Sequence, residues 1–481
     1  MEWVDALRMV VSALLGLVAV PVLIYFLLIN TSYLLLIILA SADAISHRRR
    51  APFAGLHELT GSRTVPGISV ITPMYNEQMG IRTAVESFLS LHHPRHEVIV
   101  VDDGSHDEGF EVLRNHFDLV PVSRQMPTDV SVREHPTSVH VPRDGRTRLT
   151  VVRKANSGRS DSINVGVNLA REELVLFVDA DSVLDPDALL TVCRPFVDDP
   201  VRTVAAGGVI RAVNDCRVRD GRVVDIRMPR SPLADIQVIE YLRAFHLGRA
   251  GWSKANALIL ISGAFGVFRR DVLVEVGGLD AASIGEDFEL VLRLHRHLLR
   301  KRQPYRLSFV TEPICWTEVP STVSVLRRQR IRWHRGLWET LWAYRGMVFN
   351  PRYGRVGMVS IPYYWAFELF APLVELAGLA LIFLGLILGV VSIEYFALFL
   401  LVAYAYAIFV TIAAVTVEEL SYHKYRHWRD LGILLAAAVF ENIGYRQATA
   451  VWRMEGWFAS LTGRRQVWGT MTRSGFNEAD A

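Results

Sequence analysis

Apolar residues crowd the two ends of this chain, and between them short apolar runs alternate with amphipathic stretches. Residues 10–45 are almost continuously apolar, broken by Asn30, Thr31 and Ser32. About twenty apolar residues cross a bilayer, so this run predicts one long tilted helix or two tight spans. No small-residue cleavage site follows a short apolar core, which reads as an anchor rather than a removed signal peptide. Residues 365–390 and 395–417 predict two further spans, joined by the charge-poor link 391–394. The stretch 431–458 is interrupted by Glu441, Asn442, Arg446 and Arg453. A third full span there would set Arg464, Arg465 and Arg473 outside, against the positive-inside rule, so a re-entrant or interface-lying helix is expected. Glu2 and Asp5 precede the first run while His47, Arg48, Arg49 and Arg50 follow it, and residues 418–430 are basic and aromatic. That bias predicts a multi-pass protein of the plasma (inner) membrane with its middle in the cytoplasm.

The middle has a different rhythm. From about 67 to 285, β-rich runs alternate with amphipathic stretches, which predicts an α/β sheet with helices on its faces. The expected strands are 68–72, 98–101, 149–152, 174–178 and 258–262. Residues 121–148, rich in Pro, Ser, Thr and Arg, read as a long exposed connection, and 214–232 as a hairpin turning at Asp220 and Gly221. The expected organisation is an anchor at 1–46, a cytosolic α/β domain at 47–319 and amphipathic interface helices at 320–364. Two spans and a cytosolic turn at 365–430, and a re-entrant, interfacial or third membrane helix with a cytosolic tail at 431–481, complete it.

Composition adds little. The 481 residues are 51% hydrophobic, and 52 basic against 49 acidic residues leave a net charge of +3, no basis for binding nucleic acid. Basic clusters at 296–306 and 327–335 suit lipid headgroups or a polyanionic leaving group. Cys193, Cys216 and Cys315 make neither a disulfide framework nor a C-x-x-C pair, consistent with a reducing compartment.

The most telling chemistry is 174–181, LVLFVDAD, an apolar run ending in two acids. Residues i and i+2 of a strand point to one side, so Asp179 and Asp181 can converge on a hard cation, Mg²⁺ or Mn²⁺, whose other positions take phosphate oxygens and water. Carboxylates at strand ends also cap helices and solvate loops. Pro73-Met74-Tyr75-Asn76-Glu77 ends the first strand and Asp102-Asp103-Gly104-Ser105 the second, where ligands bind in open α/β sheets. An Asp can accept the imide N–H of a uracil and Tyr75 offers a face to the base, although Asn-Glu also caps helices and Asp-Asp-Gly makes turns. Residues 154–164 follow, where Lys154, Asn156, Gly158, Ser160 and Asn164 form a phosphate-friendly loop ahead of a helix. Ser262 and Gly263 would let an acceptor approach the backbone. Glu286 and Asp287 open a helix, where an anion is stabilised and a general base can stand. Gln329, Arg332 and Trp333 share one face of a basic, aromatic helix.

Taken in order, P-x-Y-N-E, D-D-G-S, D-A-D, E-D and Q-x-x-R-W resemble the family 2 glycosyltransferases of the processive synthase type, which make cellulose, hyaluronan, chitin oligosaccharides and poly-N-acetylglucosamine. The resemblance covers roughly 65–347. It implies a GT-A (Rossmann-like) fold, with Asp102 and Asp103 at a uridine, Asp179 and Asp181 at the diphosphate and its metal, and Asp287 at the acceptor hydroxyl. It also implies Gln329 and Arg332 at the pyrophosphate and Trp333 under the acceptor sugar. The family's T-E-D triplet is matched in its acids, while Gly285 stands where Thr is usual. The expected function is an inverting transferase that uses a UDP-sugar to extend a polysaccharide or oligosaccharide in the bilayer, with an export partner protein conceivable. The alternative is addition of a single sugar to a lipid-linked acceptor.

Overall fold

The structure, a computed structural model, describes residues 2–50, 65–219, 221–422 and 427–462. The expected turn residue Asp220, part of the 418–430 turn and the basic residues Arg464, Arg465 and Arg473 lie outside them.

The alternating middle folds around a ten-stranded mixed sheet. Its strands are β1 (Ile68–Met74), β2 (His96–Asp102), β3 (Leu119–Val122), β4 (Ser138–Pro142), β5 (Leu149–Arg153), β6 (Leu174–Val178), β7 (Ser182–Leu184) and β8 (Thr203–Ala212). A separate antiparallel hairpin of β9 (Arg217–Arg219) and β10 (Arg222–Asp225) follows, then β11 (Phe265–Arg269) and β12 (Arg306–Thr317) return to the main sheet. The order is β3-β4-β5-β2-β1-β6-β11-β8-β12-β7. Strands β5, β2, β1 and β6 are mutually parallel. Their near-continuous apolar sequences, such as LVLFV in β6, are buried throughout, as central strands covered on both faces must be.

Two expectations are corrected. The apolar run 258–262 is buried but is no strand; the strand begins at Phe265 after a turn in which Phe265 N–H donates to the Ser262 carbonyl (3.2 Å). Side chains replace the ladder there: Ser360 Oγ donates to the Ala257 carbonyl (2.7 Å) and His295 Nε2 to that of Leu258 (2.8 Å). Periodicity reported burial, and burial alone does not choose a partner. Residues 121–148 are also more than an exposed connection. They contribute the end of β3 and all of β4 to the sheet edge, and Asn168 clasps the Val130 backbone through both its amide atoms, each at 2.8 Å.

Glu2–Arg50 forms one helix, and within its stretch Trp3–Ala42 an 18-residue window reaches a mean hydropathy of 2.6. Forty residues span about 60 Å, twice a hydrocarbon core, and the excess packs on the sheet domain through Leu36, Ile37 and Ala40. A second helix able to cross a membrane is Ile393–Ser421. Between them, Val356–Leu369 and Ala371–Ile387 meet at 41°, at Pro372, which has no N–H to continue the preceding turn. The polar interruptions of 431–458 correspond to a break: Ile443 and Gly444 leave helical geometry between the helices Trp428–Phe440 and Arg446–Leu461. The charges that spoil the apolar pattern are paired inside the protein. Glu441 meets Arg243 (2.6 Å), Arg446 meets Glu375 (2.8 Å) and Arg453 meets Glu368 (3.6 Å).

Candidate active site

Strand direction gathers the motifs. Because β1, β2, β5 and β6 are parallel, residues 73–77, 102–105, 154–160 and 179–181 all open at one edge of the sheet. Strand β11 runs the other way, with Phe265 opposite Val178, so Ser262 and Gly263, which precede it, arrive at that same edge.

Asp103 shapes the loop after β5. Its Oδ1 accepts the Ser157 N–H (3.0 Å) and the Lys154 ammonium, and its Oδ2 accepts the Gly158 N–H (2.9 Å). Gly158, at φ +98°, takes a conformation a side chain would resist. Asn156 donates to the Asp103 carbonyl (2.8 Å). Lys154 is buried, donating also to the Ala155 carbonyl (3.1 Å) and lying 3.6 Å from Asp161. The buried Asp102 accepts the Ser105 N–H (2.9 Å) and Arg153 Nε (3.3 Å). Pro73 lies within β1, and Glu77 offers its carbonyl to Gly80 and Ile81 at the start of the next helix (3.1 and 3.0 Å). Tyr75 is exposed beside His106, and Asn76 laces the first two motifs together by accepting the His106 N–H (2.9 Å). Ser160 and Asn164 are buried in the helix Arg159–Leu169. Both amide atoms of Asn164 bind the Leu279 backbone (2.8 and 2.9 Å).

Arg159 joins the two halves of the site, and the sequence reading left it out. Its Nε and Nη2 donate to Asp179 Oδ1 (2.9 and 2.8 Å), Nη1 to Glu286 (3.1 Å) and Nη2 also to the Gly263 carbonyl (2.8 Å). Burial works against the charge, but Asp179 and Glu286 hold the guanidinium well above its ordinary pKa. One signal was available. A cation at the first position of a helix opposes the helix dipole, so an arginine there asks for carboxylates nearby.

The far wall is the helix Glu286–Arg300. Asp287 is half-buried, with Oδ2 accepting the Gly263 N–H (3.0 Å) and Oδ1 its neighbour Phe288 N–H (2.8 Å). The Gly263 peptide thus sits between Asp287 and Arg159. Glu286 is buried; desolvation raises its carboxyl pKa, Arg159 and Arg332 draw it down and the Asp287 charge pushes it up. Asp181 accepts the hydroxyls of Thr317 (3.2 Å) and Ser182 (3.3 Å).

The helix Val323–Ala343 carries Gln329, Arg332 and Trp333 to this wall. Gln329 is buried, with no hydrogen-bond partner for Oε1 among the described residues, Arg332 is half-buried and Trp333 is 44% exposed under the Arg330 guanidinium (4.8 Å). The crossing point explains Gly285. A Cβ added there would lie 3.3 Å from the Gly336 backbone, and one at Gly336 only 3.0 Å from Gly285 Cα and N. Gly285→Thr, which restores the usual triplet, is therefore expected to cost about 1–3 kcal/mol through overpacking and to lower turnover. Thermal unfolding and rate assays check it; a Thr variant as stable as the parent would refute the close approach.

Among the described residues, no three His, Cys, Asp or Glu side chains gather as a metal cluster. Asp179 and Asp181 supply hard oxygens, so a divalent cation here would need further ligands from a bound phosphate and water.

Residues 66–336 match the family model described as "Glycosyltransferase like family 2". The chain is 28% identical over 282 residues to a poly-beta-1,6-N-acetyl-D-glucosamine synthase of Staphylococcus epidermidis, covering 58% of this chain and 56% of that one. It is 26% identical over 275 residues to the enzyme of the same description from Staphylococcus aureus, covering 57% and 55%. The matched region thus spans little more than half the length of those relatives. In fold, it resembles a mannosyltransferase from Pyrobaculum calidifontis, solved in complex with GDP-Man and Mn²⁺. The TM-score is 0.52, with 17% identity, over 92% of this chain and 100% of the other.

Proposed function

The chain belongs to glycosyltransferase family 2, and on that premise we propose that it is a membrane-embedded, inverting polysaccharide synthase that transfers N-acetylglucosamine from UDP-N-acetylglucosamine to a growing β-1,6-linked chain. The observation that carries this reading is the Arg159 bridge, which places the D-x-D strand end, the Ser262–Gly263 turn and the E-D helix in one crevice. The polymer chemistry rests on the activity for which the two staphylococcal relatives are named.

Asp102 and Tyr75 flank the proposed uridine pocket, and Asp103 sets the 154–160 loop around it. Asp179 and Asp181 would hold Mg²⁺ or Mn²⁺ against the donor diphosphate, and the cation would offset charge on the departing UDP. Gln329 and Arg332 are assigned to the pyrophosphate side, and the unbonded Gln329 Oε1 supports a ligand contact there. Asp287, oriented by two backbone N–H groups, takes the proton of the acceptor hydroxyl. That oxygen bonds to the anomeric carbon as the bond from carbon to diphosphate breaks, and the electron pair leaves with UDP. Trp333, exposed at the end of the same face, is the stacking platform for the acceptor. The apolar helices would seat the chain in the plasma membrane with the sheet domain cytoplasmic, and an export partner protein could complete the path outward.

The test is turnover by purified protein over a panel of UDP-sugars, reading released UDP and product mass. Long β-1,6-linked N-acetylglucosamine products are expected. A single-sugar lipid product would overturn the synthase reading. Chelation should abolish transfer, with Mn²⁺ or Mg²⁺ restoring it; full activity in excess EDTA would exclude the role given to Asp179 and Asp181.

A further inference from the structure

Arg249 is a further arginine near this site, with no carboxylate bonded to it among the described residues. It ends the π-helical stretch Leu242–Arg249, a helix geometry frequent at functional sites. Its guanidinium lies 3.8 Å from the centre of the Phe245 ring, and Nη1 is shielded from solvent with no hydrogen-bond partner among the described residues. Among the described residues it makes no ion pair, whereas Arg243, in the same stretch, is locked to Glu441 and Arg159 to Asp179 and Glu286.

Its place follows from the aromatic contacts. Tyr241, Phe245 and Arg249, four residues apart, make a column, with the first two rings 5.2 Å apart. Beside it, Trp252 packs on Tyr363 and Tyr364 (5.0 and 6.5 Å), and Tyr364 stacks on Phe288 (5.8 Å), the residue after Asp287. Arg249, three residues before Trp252 on the same helical run, therefore stands near the Tyr364–Phe288 pair that adjoins the candidate base. Burial pulls its guanidinium down to about 10, and the Asp287 carboxylate works against that fall. A donor shielded from water without a partner is costly, and the cost is relieved when a ligand supplies a hydrogen-bond acceptor.

We propose that Arg249 binds the acceptor: set on Phe245 beside Tyr364, it donates to an oxygen of the terminal acceptor sugar and holds the attacking hydroxyl against Asp287. This deepens the function proposed above and rests on it. The guanidinium fork suits a ring hydroxyl paired with the carbonyl of an N-acetyl group.

The experiment uses the full chain in detergent with UDP-N-acetylglucosamine and a β-1,6-linked N-acetylglucosamine pentasaccharide as acceptor. For Arg249→Gln, the KM for the pentasaccharide is expected to rise about 10- to 100-fold, the size of one charged hydrogen bond. UDP affinity, slow donor hydrolysis and the melting temperature should stay near the parent values, and Arg249→Lys should recover part of the acceptor affinity. An unchanged acceptor KM, or UDP affinity falling in step with it, would overturn the assignment. A parent protein that turns over no UDP-sugar would instead sink the proposed function itself.

Discussion

Asp287→Asn is expected to lower transfer by about 10²- to 10⁴-fold while UDP binds almost as before. The amide keeps the size of the carboxylate, and its oxygen can still accept one of the two N–H groups, from Gly263 or Phe288, that now orient Asp287. What it loses is basicity, so the acceptor hydroxyl would have to attack with its proton still on. In the function proposed above, donor binding draws on other elements, which is why the two readouts should separate. Single-turnover rates and UDP titration of the same preparation check this. An Asn variant with parental rates would remove the base from Asp287, and one that no longer binds UDP would make it a structural residue.

The second large effect belongs to Arg159. Arg159→Met removes four hydrogen bonds at once and leaves Asp179 and Glu286, with 32% and 9% of their side chains exposed, facing each other's side of the crevice without their shared cation. Breaking a buried pair by deleting one partner costs about 3–5 kcal/mol, and the partial exposure of Asp179 argues for the lower end. Transfer should fall with stability, because the strand end and the helix start lose their common tie. Arg159→Lys keeps the charge but not the fork that reaches two carboxylates and a carbonyl together, so it should recover only part of either quantity. Thermal unfolding beside rate measurement is the check. A Met variant that melts and reacts like the parent would show that the bridge holds nothing.

The helix Val323–Ala343 shows how far local reading reaches. Its spacing placed Gln329, Arg332 and Trp333 on one face, and the structure grades that face from buried to exposed. No spacing rule could say that Gly336, on the same helix, meets Gly285, more than fifty residues away, closely enough to exclude a side chain. The resemblance to the family gives no reason for the absent threonine of the triplet; the packing gives it a steric cause. Lys154 and Asn164 show the converse. Their motif was legible, but the buried Lys154 is enclosed by Asp103 and its own loop, and Asn164 by the Leu279 backbone. A polar residue in a motif has several possible partners, and only the folded chain selects among them.

Local physics therefore determined the alternation of the middle, the apolar ends and the acids that close β2 and β6. Each depends on neighbours within a few residues: whether a run can be buried on both faces, and where it must stop. Pairing was left to the tertiary structure. Which arginine neutralises Asp179 and Glu286, which one stays unpaired beside Phe245, and which glycine backbones touch are questions of distance between segments remote in the chain. Charge and contact energies fall steeply over a few ångströms, so they are decided by the sheet order and the crossing of helices rather than by composition.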